Sequence, residues 1–202
     1  MDEIQSAMLD ATSKFRNSIA KDFAENFKSY NRIDSTLNDL FAYFSDRSQA
    51  ISHLASYGYA WDAEIILRCA YEVAGKIWLI CLYPKDGRGK LIEEFWGISA
   101  EIHNRKKARK ANLAKQLHIL RNAHYDSKVF DFLEDKEIFP HDEINKKERK
   151  GIEQKWSFTE IINYLEANHP KDFPMKYITC LLFNYDAASH LIHADDHALD
   201  LM

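Results

Sequence analysis

An all-α fold, a single-domain bundle of about six or seven helices, is what this sequence predicts, and three observations carry that reading. Apolar residues recur at steps of three or four along most of the chain, the period of an amphipathic helix. Glycine and proline are scarce, 6 and 4 among 202 residues, which disfavours a turn-rich all-β chain. Hydrophobic residues make up 46% and aromatic residues 13%, enough for a sizeable core and unlike the profile of a disordered chain.

Taken in order, Ile4, Met8, Ala11, Phe15, Ile19, Phe23, Phe27 and Tyr30 predict a long amphipathic helix over 3–30 that "NRIDS" ends. Asp34 or Ser35 is placed to cap the next helix, whose apolar stripe runs from Leu37 through Phe41, Phe44 and Leu54 to a stop at Gly58. The stretch "AEIILRCAYEVAGKIWLICLY", 63–83, predicts a third helix, stopped by "PKDGRGK". A fourth helical region is expected from near Lys90 toward Arg121, with Phe95, Ile98, Ile102, Leu113, Leu117 and Leu120 as its apolar side. Residues 127–134 suit a short helix, and "PHDEINKKERKG" is almost free of apolar residues, so a charged loop or helical arm is expected near 136–155. Ser157 and Glu160 have capping-box spacing and open a helix. Pro174 is placed early in a last helix that runs to about Leu201. One helical domain is expected over 1–202.

The net charge of -4 excludes a strong bulk attraction to nucleic acid or membrane, so any such attraction must be local. Cys69, Cys81 and Cys180 lie in apolar runs without metal-ligand spacing and read as reduced core residues. The acidic start "MDEIQSAM" does not suit a secretion signal. The third helix is the one candidate membrane span, yet Glu64, Arg68, Glu72 and Lys76 interrupt it, at about 2.5 to 3.5 kcal/mol for each Arg or Lys in mid-bilayer. A cytoplasmic chain with no membrane partner is expected. There is no Gly-rich phosphate loop, and no cofactor is expected.

Those four charges are spaced four apart and form one stripe of alternating sign on an otherwise apolar helix. Glu64 and Lys76 at its ends can extend to water, whereas Arg68 and Glu72 in the middle are expected to face another helix and to need partners there. The last helix offers Tyr185, Ser189 and His193 on the boundary between its apolar and polar sides. A contact between Arg68/Glu72 and Tyr185/Ser189/His193 follows, with a carboxylate or hydroxyl orienting the imidazole.

The R-x-x-x-E pair in "LRCAYE", followed by "KWSFTEII" and by Y-x-x-x-S-x-x-x-H in "YDAASHLIH", resembles small bacterial helical proteins of the domain-of-unknown-function family five-six-seven-seven. A second family, six-nine-eight-eight, is similar through "ISHLASYGYAWDAEIILRCAYEVAGKIWL". The resemblance covers residues 50–85 and 155–198, and its pattern falls on Arg68, Glu72, Trp156, Tyr185, Ser189 and His193. It implies an all-helical fold and kinship with HEPN (higher eukaryotes and prokaryotes nucleotide-binding) domains, many of which are ribonucleases in toxin and phage-defence systems. Those nucleases place an Arg and a His four to six residues apart on one helix; Arg68 and His193 depart from that pattern, and only Arg47 and His53 meet the spacing.

Candidate chemistry therefore centres on Arg68, Glu72, Ser189 and His193. His193 is the expected general acid or base, and Arg68 the expected stabiliser of a developing phosphate charge, the roles metal-independent RNA cleavage requires. The same four groups would equally serve as a buried network that fixes helix register, or as a site for a small anionic ligand. His190, His193 and His197 share a helix face but lack a second ligand segment, so no metal is expected. Arg105, Lys106, Lys107, Arg109 and Lys110, followed by Lys115 and Arg121, form a basic stretch that suits RNA phosphates or a solvated helix face. The two functions that follow are an RNA-targeting effector and a non-catalytic binding or assembly module of a defence or toxin-antitoxin system. A homodimer suits both, as does a protein partner from the same operon.

Overall fold

A computed structural model describes residues 31–120, 144–168 and 178–193, together with Asp10, Ser13, Lys14, Asn17, Ser18 and Lys21; side chains in the first stretch are described to 117. Among the described residues every regular element is helical and no strand occurs. The chain divides into two compact units, Met1–Gly89 with Ser157–Met202, and Lys90–Trp156.

In the first unit the six described residues before 31 are all helical and exposed, with Lys14 paired to Asp10 at 2.7 Å. The apolar residues expected to form the other side of that helix lie outside the described residues. Helix α1 (Arg32–Ser56) starts one turn earlier than the expected cap: the Asn31 side chain accepts the Asp34 N–H at 2.9 Å, and Asp34 sits in the first turn beside the positive end of the helix dipole. It ends at Ser56, and the chain then turns at Gly58, whose φ of +84° is a left-handed conformation that glycine adopts without a Cβ clash.

Helix α2 (Ala60–Leu82) is the central element and packs against α1 and against two helices described next. Its buried positions, Ala63, Ala70, Val73, Gly75, Ile77, Leu79 and Ile80, are too many for a helix covered on one side only. At its C-terminus the Arg88 guanidinium donates to the carbonyls of Tyr83 and Cys81, satisfying groups that the helix leaves open. Helix α6 (Phe158–Asn168) buries Phe158, Ile161, Ile162 and Leu165 against α2, and α7 (Cys180–His193) lies against α2 through a side that includes Ala188. Gly75 lets α6 come close: a Cβ there would stand 3.3 Å from Ile161 Cγ2 and 3.4 Å from the Phe158 ring. The Ser157 cap of α6 is present but long, 3.4 Å to the Glu160 N–H.

In the second unit, which opens within α3 (Arg88–Glu94), a π-helical turn at Phe95–Ser99 joins α3 to α4 (Ala100–Leu120). The expected stripe along α4 holds at Ile102, which is buried, and is corrected farther along. Leu113 and Leu117 are 57% and 45% exposed, while Ala108 and Ala111, on the opposite side of the helix, are buried. The helix turns its small side chains inward, where a neighbour can approach closely. Helix α5 (Lys146–Lys155) forms inside the charged stretch. It is opened by a complete capping box, in which Asn145 accepts the Glu148 N–H and the Glu148 carboxylate accepts the Asn145 N–H. Its end is anchored by Glu94, which accepts Trp156 Nε1–H at 2.7 Å and pairs with Lys155 at 3.0 Å, while the Trp156 ring packs on Phe95.

The cysteines are all free, yet only Cys69 is partly buried; Cys81 and Cys180 are exposed, so the core role read from their apolar neighbours is corrected. Each lies at a helix end, where flanking hydrophobicity does not enforce burial.

Candidate functional site

The charged stripe of α2 divides as its spacing suggests. Glu64 is exposed, whereas Arg68 and Glu72 turn toward α7, with side chains 22% and 36% exposed. They converge on one group. Arg68 Nη2 donates to the Tyr185 hydroxyl at 2.9 Å, and that hydroxyl donates to Glu72 Oε1 at 2.8 Å. Arg68 Nε lies 3.5 Å from the same carboxylate oxygen, within ion-pair reach but without the direction of a hydrogen bond. The guanidinium also lies over the Tyr185 ring, 4.7 Å from its centroid, a cation–π contact that contributes about 0.5 to 1 kcal/mol.

The Tyr185 ring is held from below by packing. Phe158, at the start of α6, lies 4.5 Å from it and 6.3 Å from Tyr71 of α2. Burial pushes the Tyr185 hydroxyl above the ordinary tyrosine range, and the Glu72 carboxylate adds to that, while Arg68 pulls against it. The folded state therefore holds this proton more tightly than the unfolded chain. The stability it contributes is complete below about pH 10 and is lost as pH rises through the folded value. Melting temperatures measured from pH 8 upward are expected to fall less steeply for Tyr185→Phe than for the parent chain.

Of the four residues expected to carry chemistry, the structure joins Arg68 and Glu72, through Tyr185. Ser189 is half-buried and His193 exposed, about 6 and 12 Å farther along α7 at about 1.5 Å per residue, and neither hydrogen-bonds to or pairs with Arg68 or Glu72. The hydroxyl-oriented imidazole expected from the spacing is thus replaced by a tyrosine hydroxyl. Arg47 has its guanidinium over Tyr43, 5.0 Å from the ring centroid. His190 Nε2 lies 3.7 Å from Asp186, and His197 lies outside the described residues. Among the described residues no three His, Cys, Asp or Glu side chains are grouped to hold a metal ion, and no helix is long and apolar enough to cross a membrane.

The basic stretch separates into two kinds of residue. Arg105 donates to the buried Glu101 carboxylate at 2.6 Å, and Lys106 pairs with Glu153 of α5. Lys107, Arg109 and Lys110 are exposed on the flank and back of α4, away from Ala108 and Ala111. Lys115 is half-buried, and Arg121 lies outside the described residues.

The residue that spacing undervalued is Tyr185, which stood only as one of three boundary positions. Glu94 was missed altogether; a carboxylate directly before the Phe95–Ser99 turn carries no motif. No curated protein and no solved structure matches the chain. One family model does match, over residues 34–202, a range that includes Arg68, Glu72, Trp156, Tyr185, Ser189 and His193. The chain belongs to that family, DUF5677, a family of unknown function.

Proposed function

We propose that this protein is a HEPN-like, RNA-targeting effector of a defence or toxin-antitoxin system, acting in the cytoplasm as a metal-independent endoribonuclease. The observation that carries the reading is the convergence of a guanidinium, a hydroxyl and a carboxylate where α2 meets α7. Self-cleavage of RNA needs a base for the 2′-hydroxyl, a cation for the charge that builds on the phosphate, and an acid for the leaving 5′-oxygen. Arg68 suits the second role and Glu72 the first. Among the described residues Arg68 Nη1 and Glu72 Oε2 make no hydrogen bond, so each keeps a site for substrate. Lys107, Arg109 and Lys110 would supply phosphate contacts, which are independent of base sequence. His193 stands apart from Arg68 and Glu72, and the reading routes no proton through it.

A second reading is favoured by the same hydrogen bonds. Arg68, Tyr185 and Glu72 also satisfy one another, as a register-fixing network in a binding or assembly module would. One experiment separates the two. Purified wild type, Arg68→Ala and His193→Ala are incubated with RNA in the presence of chelator, and their melting temperatures are recorded. The effector reading expects cleavage by the wild type and a loss of about 100- to 1,000-fold in Arg68→Ala with little change in melting temperature. An inert wild type with a strongly destabilised Arg68→Ala supports the assembly module. Binding of single-stranded RNA at increasing salt should have a slope that shrinks by about 0.7 for each of Lys107 and Lys110 replaced by glutamine. A slope near zero in the wild type removes RNA from the account.

A further inference from the structure

We infer that Tyr185 is the general acid of the RNA cleavage proposed above and that Glu72, after serving as its base, returns the proton to Tyr185, so that the two residues form a self-resetting pair. The inference rests on the ribonuclease reading and goes beyond it by assigning the third role without a histidine.

The geometry supplies each part. Tyr185 Oη receives a hydrogen bond from Arg68 Nη2 at 2.9 Å and gives its own proton to Glu72 Oε1 at 2.8 Å. The phenolic hydrogen is a mobile donor near the ring plane, so it can leave Glu72 Oε1 for the 5′-oxygen of a bound RNA. The phenolate left behind lies against a guanidinium, which stabilises it. The ring itself is held by a tilted contact with Phe158 at 4.5 Å and by the Arg68 guanidinium at 4.7 Å. Glu72 Oε2 has no partner among the described residues and faces the role of base.

The step balances without a metal or added water. The 2′-hydroxyl gives its proton to Glu72 Oε2, and its oxygen bonds to phosphorus. The bond from phosphorus to the 5′-oxygen breaks, and that oxygen takes the Tyr185 proton. The products are a 2′,3′-cyclic phosphate and a 5′-hydroxyl. Glu72 is now neutral and Tyr185 a phenolate. Rotation of the carboxyl about its terminal torsion, which is broad, presents the new O–H to Tyr185 and restores both groups. The proton that leaves the 2′-oxygen replaces the one given to the 5′-oxygen.

The test is a change of leaving group. An oligoribonucleotide with sulfur in place of the scissile 5′-oxygen expels a thiolate, whose acid has a pKa of about 8.5 and needs no proton to leave, unlike an alkoxide, whose conjugate acid is as weak as water. Tyr185→Phe keeps the ring and removes only the hydroxyl. It is expected to cleave the normal oligonucleotide about 100- to 10,000-fold more slowly than the wild type, the range for a lost general acid, and to cleave the sulfur substrate at close to the wild-type rate. Glu72→Gln should be slow on both substrates, because both need the base. If Tyr185→Phe is as impaired on sulfur as on oxygen, Tyr185 is only a positioning residue and the inference fails while the ribonuclease reading stands. If the wild type cleaves neither substrate, the ribonuclease reading itself fails. Should Tyr185→Phe not fold, the wild type suffices: its rate on the oxygen substrate should fall as Tyr185 ionises above about pH 10, and its rate on the sulfur substrate should not. Parallel falls on both substrates would overturn the assignment.

Discussion

Truncating Phe158 to alanine is expected to destabilise the chain by about 3 to 5 kcal/mol, the cost of removing a buried aromatic ring and leaving a cavity. Phe158 is 4% exposed and lies where three things meet: Tyr71 of α2, the Tyr185 ring of α7 and the Cβ-less face of Gly75. The loss should therefore reach the candidate site as well as the core. Without the ring beneath it, Tyr185 keeps its hydrogen bonds but not its orientation, so Phe158→Ala should also flatten the alkaline fall in stability attributed to Tyr185. Urea unfolding midpoints across pH read both effects at once. Gly75→Ala is an informative companion. It gains about 1 kcal/mol of helix propensity but sets a Cβ within 3.3 to 3.4 Å of Ile161 and Phe158. That crowding offsets the gain in the parent chain and disappears once Phe158 is alanine, so the two changes should be non-additive. Additive effects would mean that the contact through Gly75 is not what sets the spacing of α2 and α6.

How much of this was legible beforehand depends on whether a feature is local. That α2 is central follows from its composition, because Val73, Ile77, Leu79 and Ile80 leave only a narrow polar strip, and burial on several sides is the physical consequence. That Arg68 and Glu72 would find a partner on the last helix also follows, since half-buried charges must be compensated. Which partner does not follow. Tyr185, Ser189 and His193 repeat every four residues on one face, and the choice among them is set by the axial offset of α7 along α2, which no local pattern encodes. The capping box at Asn145 and Glu148 was readable from spacing alone, but the scarcity of apolar residues around it left a loop and a helical arm equally open, and the helix is what forms. The π turn at Phe95–Ser99 has no compositional signature, being a change in which carbonyl each N–H meets.

Arginine 105 provides the second large effect and decides how the basic stretch is read. Arg105→Ala is expected to lower stability by about 3 kcal/mol, because it strips the guanidinium from a carboxylate, Glu101, that is 4% exposed. Neutralising the carboxylate in the same chain, as Glu101→Gln with Arg105→Ala, should recover part of the loss, since an uncharged amide is less costly to bury than a carboxylate that has lost its guanidinium. Lys107→Gln, at an exposed position on the same helix, should change stability by less than about 0.5 kcal/mol. The order reverses for RNA. The Lys107 change should reduce the salt dependence of binding, whereas Arg105, held by an internal carboxylate, has little left to offer a phosphate. Binding measured under conditions where both variants are folded tests this. A loss of salt dependence in Arg105→Ala as large as that in Lys107→Gln would mean that the guanidinium exchanges Glu101 for phosphate, and that the buried pair opens when RNA binds.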